Sequence, residues 1–285
     1  MNGFLLALKS ELFVSLRSVS SKMVLGIPVT LVILQLVLTR VRDAGSAVTD
    51  NMLGRTDFDI AMANNAYGHL VDGLNTGLSL LGLLLVAQAA TCFSGERDSG
   101  AIRHLLIRCC SRRAVVLAKL LHLHLLGLIA LLLLLGSCFL VSSLLWEFGA
   151  VAEDGFELIS QQEIRHEIRL GLHLALLPLP AAMAMGLLVS VVANSSTQAV
   201  VSALGLTLAL DLFKSVLGDK ALYLYTTYQP SLLDQSYLGE VSRLVRGYSD
   251  VLIDPHFLEM NNLVPLPSLL IMVALMLVAV ERRTL

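Results

Sequence analysis

The stretch AVVLAKLLHLHLLGLIALLLLLGSCFLVSSLLW, residues 114–146, contains a single lysine and no arginine, aspartate or glutamate. As one α-helix rising ~1.5 Å per residue, its 33 residues would reach about 50 Å, more than the ~30 Å hydrocarbon core of a bilayer. Part of it is therefore expected to cross a membrane and part to project into water. Lys119, His122 and His124 lie near its beginning and mark the projecting end, read as a cytoplasmic stalk that continues the preceding loop.

Working outward, five more runs approach the length of a span: residues 23–39, 74–93, 170–193, 197–217 and 263–280. A backbone in lipid must bond its own polar groups, so runs rich in Leu and Ala that cross a bilayer have to be helices. Composition agrees, since the 285 residues are 56% hydrophobic and 15% charged, with a mean hydropathy of +0.77. Soluble domains are about 25% charged. The expected fold is an all-α integral membrane protein, a single transmembrane domain over residues 1–285 with six helices. Nothing in the composition suggests nucleic acid.

Orientation follows from the preference of short cytoplasmic loops for Lys and Arg. With the N-terminus inside, the cytoplasmic segments hold eleven basic residues (Lys9, Arg17, Lys22, Arg97, Arg103, Arg108, Arg112, Arg113, Lys119, Arg282 and Arg283) against Glu11, Glu96, Asp98 and Glu281. The rest of the chain then holds nine basic and eighteen acidic residues. The expectation is a multi-pass protein of the inner, cytoplasmic membrane with both termini in the cytoplasm. The first apolar run follows Lys9, Glu11, Arg17 and Lys22 without a small-residue cleavage site, and reads as a retained helix. Cys92, Cys109 and Cys110 fall on the cytoplasmic side and Cys138 inside an apolar helix, a placement suited to free thiols.

Within residues 1–22, Leu5, Leu8, Leu12 and Leu16 recur at helical spacing. They describe either a helix lying in the membrane interface or an extension of the first span. Among the outer segments, residues 40–73 are polar and acidic. Residues 147–169 carry a capping box, Ser160 with Glu163, ahead of a short interfacial helix. The longest, 218–262, interleaves Tyr223, Tyr225, Tyr228, Tyr237 and Tyr248 with charges, as at a membrane boundary, and is expected to hold short helices.

The loop between the second and third spans, residues 94–113, reads SGERDSGAIRHLLIRCCSRR. Gly95 and Gly100 bracket an acidic turn that caps a short helix bearing Ile102, Leu105 and Leu106 beside Arg103 and Arg108. A short amphipathic helix of this kind fits a groove on a soluble partner and passes a push to the spans at its ends.

The Gly-Glu-Arg-x-Ser-Gly-x-Ile-Arg pattern, the following Leu-Leu, the Ser-Arg pair and Lys119-Leu120-Leu121 resemble the coupling loop of type-2 ABC transporter permeases. The terminal Glu281-Arg282-Arg283-Thr284-Leu285 is similar to the Arg-Arg-x-Leu ending of that family. Two departures touch the loop's local geometry: Cys109 and Cys110 stand where the family usually has proline, and Ala118 precedes the lysine. The resemblance implies six spans, an N-terminal interfacial helix and a coupling helix. Carried over residue by residue, it implies contact with an ABC ATPase subunit through Glu96, Arg97, Gly100, Arg103, Leu106, Ser111 and Arg112, with Lys119 steadying the stalk. It further implies two ATPase copies that bind ATP and Mg, and a second permease chain, identical or related. No catalytic residue or cofactor is expected in this chain, because it lacks the Gly-x-x-x-x-Gly-Lys-Ser/Thr loop that cradles nucleotide phosphates.

Other polar positions carry two readings each. Asp211 and Lys214 read as a structural pair near the outer end of the fifth span, or as a substrate or proton site. Pro178 and Pro180 bend or break the fourth helix. Gln88, Asn75 and His173 face a pathway or a neighbouring helix. His122 and His124 are two apart, on different helix faces, which disfavours a shared metal. The leading function is an ABC exporter permease forming its pathway as a dimer. The alternative is a non-transporting membrane subunit that transmits ATPase-driven motion to the outer loops. An intramembrane enzyme would need paired acids or His clusters at depth, which the sequence does not offer. The few buried charges favour a lipid-like or amphipathic cargo over a small ion.

Overall fold

The computed structural model describes residues 3–53, 65–101, 111–153, 156–231, 237–246 and 254–283. Among the described residues the fold is all-α apart from one small hairpin. Helix α1 spans Gly3–Arg17, α2 Val19–Leu53, α3 Ala66–Asp98 and α4 Arg112–Leu145. Strands β1 (Val151–Glu153) and β2 (Phe156–Ile159) pair antiparallel, and α5 (Gln161–Leu176) and α6 (Leu179–Val192) follow. After α7 (Ser196–Leu217) come two 3-10 turns, Gly218–Tyr223 and Tyr225–Tyr228, then α8 (Tyr237–Val245), α9 (Pro255–Leu263) and α10 (Pro265–Arg282). Among the described residues, six helical stretches are long and apolar enough to cross a membrane.

Several boundaries differ from those expected. Residues 40–53 continue α2, and α3 begins at Ala66, so most of the expected 40–73 loop is helix. Arg40, Arg42 and Asp43 disfavour hydrocarbon but not helix, and no proline interrupts them. Helix α3 starts where Asn65 Oδ1 accepts from the Tyr67 amide at 3.0 Å. The fourth span and the short helix expected before it are one helical column broken only at Leu177 and Pro178. The Ser160 hydroxyl accepts from the Glu163 amide at 3.2 Å, as the capping box requires. No local pattern in residues 151–159 announces the β1–β2 hairpin.

A single residue outside helix, Ser18, separates α1 from α2. Helix α1 turns Ala7 and Glu11 into the protein against α4, while Leu5, Leu12 and Leu16 stay exposed. Three of the four leucines of the stripe thus face away from the bundle, while Leu8 packs against the cluster of Ala7, Val115 and Ala118.

Helix α3 runs through the centre, touching α2, α4, α6, α7 and α8. Leu78, Leu81, Leu85, Val86, Ala89 and Phe93 on it are buried. By contrast α2, α4, α7 and α10 present exposed Leu34, Leu132, Phe213 and Ile271, the surface a helix offers to lipid. The most extensive helix pair is α3 with α6. It is close because Gly186 lacks a side chain: a Cβ there would lie 2.7 Å from the Val86 carbonyl oxygen and 2.9 Å from Ala89 Cβ.

At the end remote from the α3–α4 loop, the chain after α7 is held to the spans by polar contacts. Asp72 on α3 accepts from Ser242 Oγ at 2.5 Å and pairs with Arg246. Tyr237 donates to Glu167 of α5 at 2.5 Å, and burial together with that carboxylate raises the tyrosine's pKa. Gly186→Val is expected to cost about 1–3 kcal/mol through overpacking. Gly136→Ala, where nothing lies within 4 Å of the added carbon, should leave stability equal or higher. Denaturant unfolding of the detergent-solubilised chain checks both.

Candidate functional site

Long helices deliver their last turns to one end of the bundle, and the roots of the α3–α4 loop are fastened there. Asp98 ends α3; Gly100 follows with φ +75°, a left-handed conformation that glycine adopts freely. On the far side Ser111 caps α4, its hydroxyl accepting from the Ala114 amide at 3.2 Å. Ile102, Arg103, Leu105, Leu106, Arg108, Cys109 and Cys110 lie outside the described residues, and with them the expected coupling helix.

Each root reaches other spans. Asp98 Oδ2 accepts from both the amide and the hydroxyl of Ser196, each at 2.7 Å, and so caps the start of α7. A carboxylate suits that position because the helix N-terminus is partly positive. Arg97 donates to the Ala193 carbonyl at 2.6 Å, in the turn between α6 and α7. Across the loop, Arg112 donates to the Arg283 carbonyl and Arg113 pairs with Glu281, both at the end of α10. Arg283 donates in turn to the Val191 carbonyl and, at 2.9 Å, to Asn194 Oδ1. Burial and the Arg97 charge lower the Arg283 pKa, though arginine keeps its proton in proteins.

Beneath this belt sits a buried ionic cluster. Lys119 has no exposed surface, and its Nζ lies 2.6 Å from Glu11 Oε1 of α1 and 2.6 Å from Glu96 Oε1 of α3. The lysine expected in a water-exposed stalk is therefore enclosed. The reason is that α1 folds back over α4 and covers the polar start of that helix. Glu96 and Arg97, expected as ATPase contacts, also bond within the chain, to Lys119 and to the Ala193 carbonyl. Removing one partner of a buried ion pair strands the other's charge.

The remaining expected site residues are dispersed. Gln88 accepts from Ser20 Oγ, joining α3 to α2. His173 contacts Asn262 Oδ1 at 3.3 Å. Asp211 pairs with Lys214 at 2.7 Å and accepts from Ser231 Oγ at 2.5 Å. His122 is buried and His124 Nδ1 contacts the Leu120 carbonyl oxygen at 2.7 Å; among the described residues no three metal-binding side chains gather.

Sequence reasoning missed the roles of Glu11, Asp98 and Ser196. For Glu11 a signal existed: it is the only acid in residues 1–22, and Lys119 the only fully charged side chain in 114–146. Asp98 and Ser196 are 98 positions apart, and no local pattern joins them. Lys119→Met is expected to destabilise the chain by about 3–5 kcal/mol. Adding Glu11→Leu and Glu96→Leu should recover most of that loss, read from unfolding midpoints of the purified single and triple variants.

Comparison with known proteins agrees with this architecture. The family model described as ABC-2 family transporter protein matches residues 15–280. Neither the characterised proteins nor the solved structures searched gave a match. Six apolar helices with α3 at their centre, the roots of its loop to α4 fastened to the ends of neighbouring helices, and a family match over residues 15–280 place the chain in the ABC-2 family of transporter proteins, as a multi-pass permease subunit that works with an ABC ATPase and is not itself the ATPase.

Proposed function

We propose that the chain is one of two permease subunits of an ATP-driven exporter, and that two ATPase subunits grip the loop between α3 and α4 from the cytoplasm. ATP-driven closure of the ATPases draws the two loops together. The space between the permease chains then switches from inward-open to outward-open. Arg103 and Leu106 are the contacts offered to the ATPase groove, with Gly100 and Ser111 setting the two ends of the loop.

The observation that carries this reading is the fastening of both loop roots to other spans. A force on the loop reaches α7 through Asp98 and Ser196, the α6–α7 turn through Arg97, and α10 through Arg112 and Arg113. It reaches α1 and α4 through the Lys119 cluster. These contacts tie the two loop roots to several helix ends at once, so a displacement of the loop is shared among them. The loop is a lever with a stiff base.

The reading separates gripping from transmission. Arg103→Glu with Leu106→Asp should weaken co-purification of the ATPase about a hundredfold, at roughly 1.4 kcal/mol per tenfold step, while the unfolding midpoint stays put. Asp98→Asn with Ser196→Ala should leave the ATPase attached but uncouple ATP hydrolysis from transport. Undiminished association after the first pair of changes would refute the grip. In a background with the native cysteines replaced by serine, Ala101→Cys should react with a membrane-impermeant thiol reagent only in inside-out vesicles. Labelling from the outside of intact cells would reverse the topology.

A further inference from the structure

About midway along α3 and α7, a cavity of about 190 Å³ opens between these helices and the chain that follows α7. Its wall joins apolar and polar groups: Leu83, Leu208 and Pro230 with Thr207, Asp211 and Gln229. Such a mixture in a small concave space is the usual composition of a site for a small organic molecule. A comparable cavity of ~150 Å³ holds one benzene ring.

The polar groups define the ligand further. The Asp211 carboxylate is already balanced by Lys214 and by the Ser231 hydroxyl, so the site carries no uncompensated charge and favours a neutral occupant. Thr207 spends its proton on the Ala203 carbonyl at 2.9 Å and keeps lone pairs free to accept. Gln229 is 8% exposed and Thr226, also on the wall, 2% exposed. Gln229 Oε1 and Thr226 Oγ1 have no hydrogen-bond partner among the described residues. A buried acceptor left unpaired costs about 1–3 kcal/mol. Space for Gln229 exists because Gly82 faces it: a Cβ there would lie 2.9 Å from the amide nitrogen. From these observations we infer that the cavity between α3, α7 and residues 226–231 binds a small neutral molecule with an apolar body and one hydrogen-bond donor, of the alcohol class.

A bilayer acyl chain has the apolar body without the donor, so the two occupants are separable. The assignment also stands apart from ATP-driven transport, because its test needs neither nucleotide nor partner. The full-length chain in detergent is photolabelled with a diazirine-bearing benzyl alcohol, and the labelled peptides are mapped by mass spectrometry. Labels are expected on the segments around Ser79–Leu83 and Thr207–Asp211, displaced saturably by benzyl alcohol and at least ~3-fold less effectively by toluene, the scale of one hydrogen bond. Gln229→Leu should weaken displacement by benzyl alcohol ~3- to 10-fold and leave toluene unchanged. Leu83→Trp should abolish labelling by filling the space. Should that variant fail to fold, Leu208→Trp at the partly exposed edge serves the same purpose. Equal displacement by toluene, labelling that does not saturate, or labelling unaffected by both tryptophan variants would overturn the assignment.

Discussion

A peptide group in hydrocarbon has no water to bond, and the loss of even one hydrogen bond there costs several kcal/mol. Every span of this chain answers that constraint by being helical. It also explains where irregular backbone is tolerated. The break at Leu177 and Pro178 lies in the helical column where Leu174, Ala175 and Leu179 are buried in protein. The two 3-10 turns after α7 are tied down by their own bonds, including Tyr228 to the Leu222 carbonyl at 2.6 Å. Lipid-facing surfaces are left to unbroken α2, α4, α7 and α10.

Within that frame α3 carries the architecture. It is packed on several sides at once because small residues let its neighbours approach, as Gly77 admits Leu134 and Gly82 admits Gln229. One helix thus connects the two ends of the molecule. Its last turn holds Glu96, Arg97 and Asp98, the base of the loop, while Ser79 and Leu83 on its middle turns line the cavity. A rigid element of this kind is what lets a local push be felt far away.

Charge is handled in opposite ways at the two ends. Around the loop, ions are drawn inward and matched: Lys119 with two carboxylates, Asp98 with the start of α7, Arg113 with Glu281. The residues that family resemblance assigns to a partner are in part consumed by this internal matching. At the other end the acids stay on their helices, where Asp72, Glu167 and Asp211 each hold a hydroxyl of a later part of the chain.

The number of spans, their helical state and the class of protein were legible in the sequence, because apolar length and charge spacing follow directly from the thickness and dielectric of a bilayer. So was the Asp211–Lys214 pair, whose members are three residues apart on one helix. Helix ends were legible only where a local cap was read, as at Ser160; the cap at Ser111 came from the structure, and at residue 40 the apolar run ended and the helix did not. The Lys119 cluster, the Asp98 cap on α7 and the cavity beside Gln229 belong to the tertiary structure alone. Each joins residues many positions apart, and the energy that places them arises only once α1, α3, α4 and α7 have packed and excluded water.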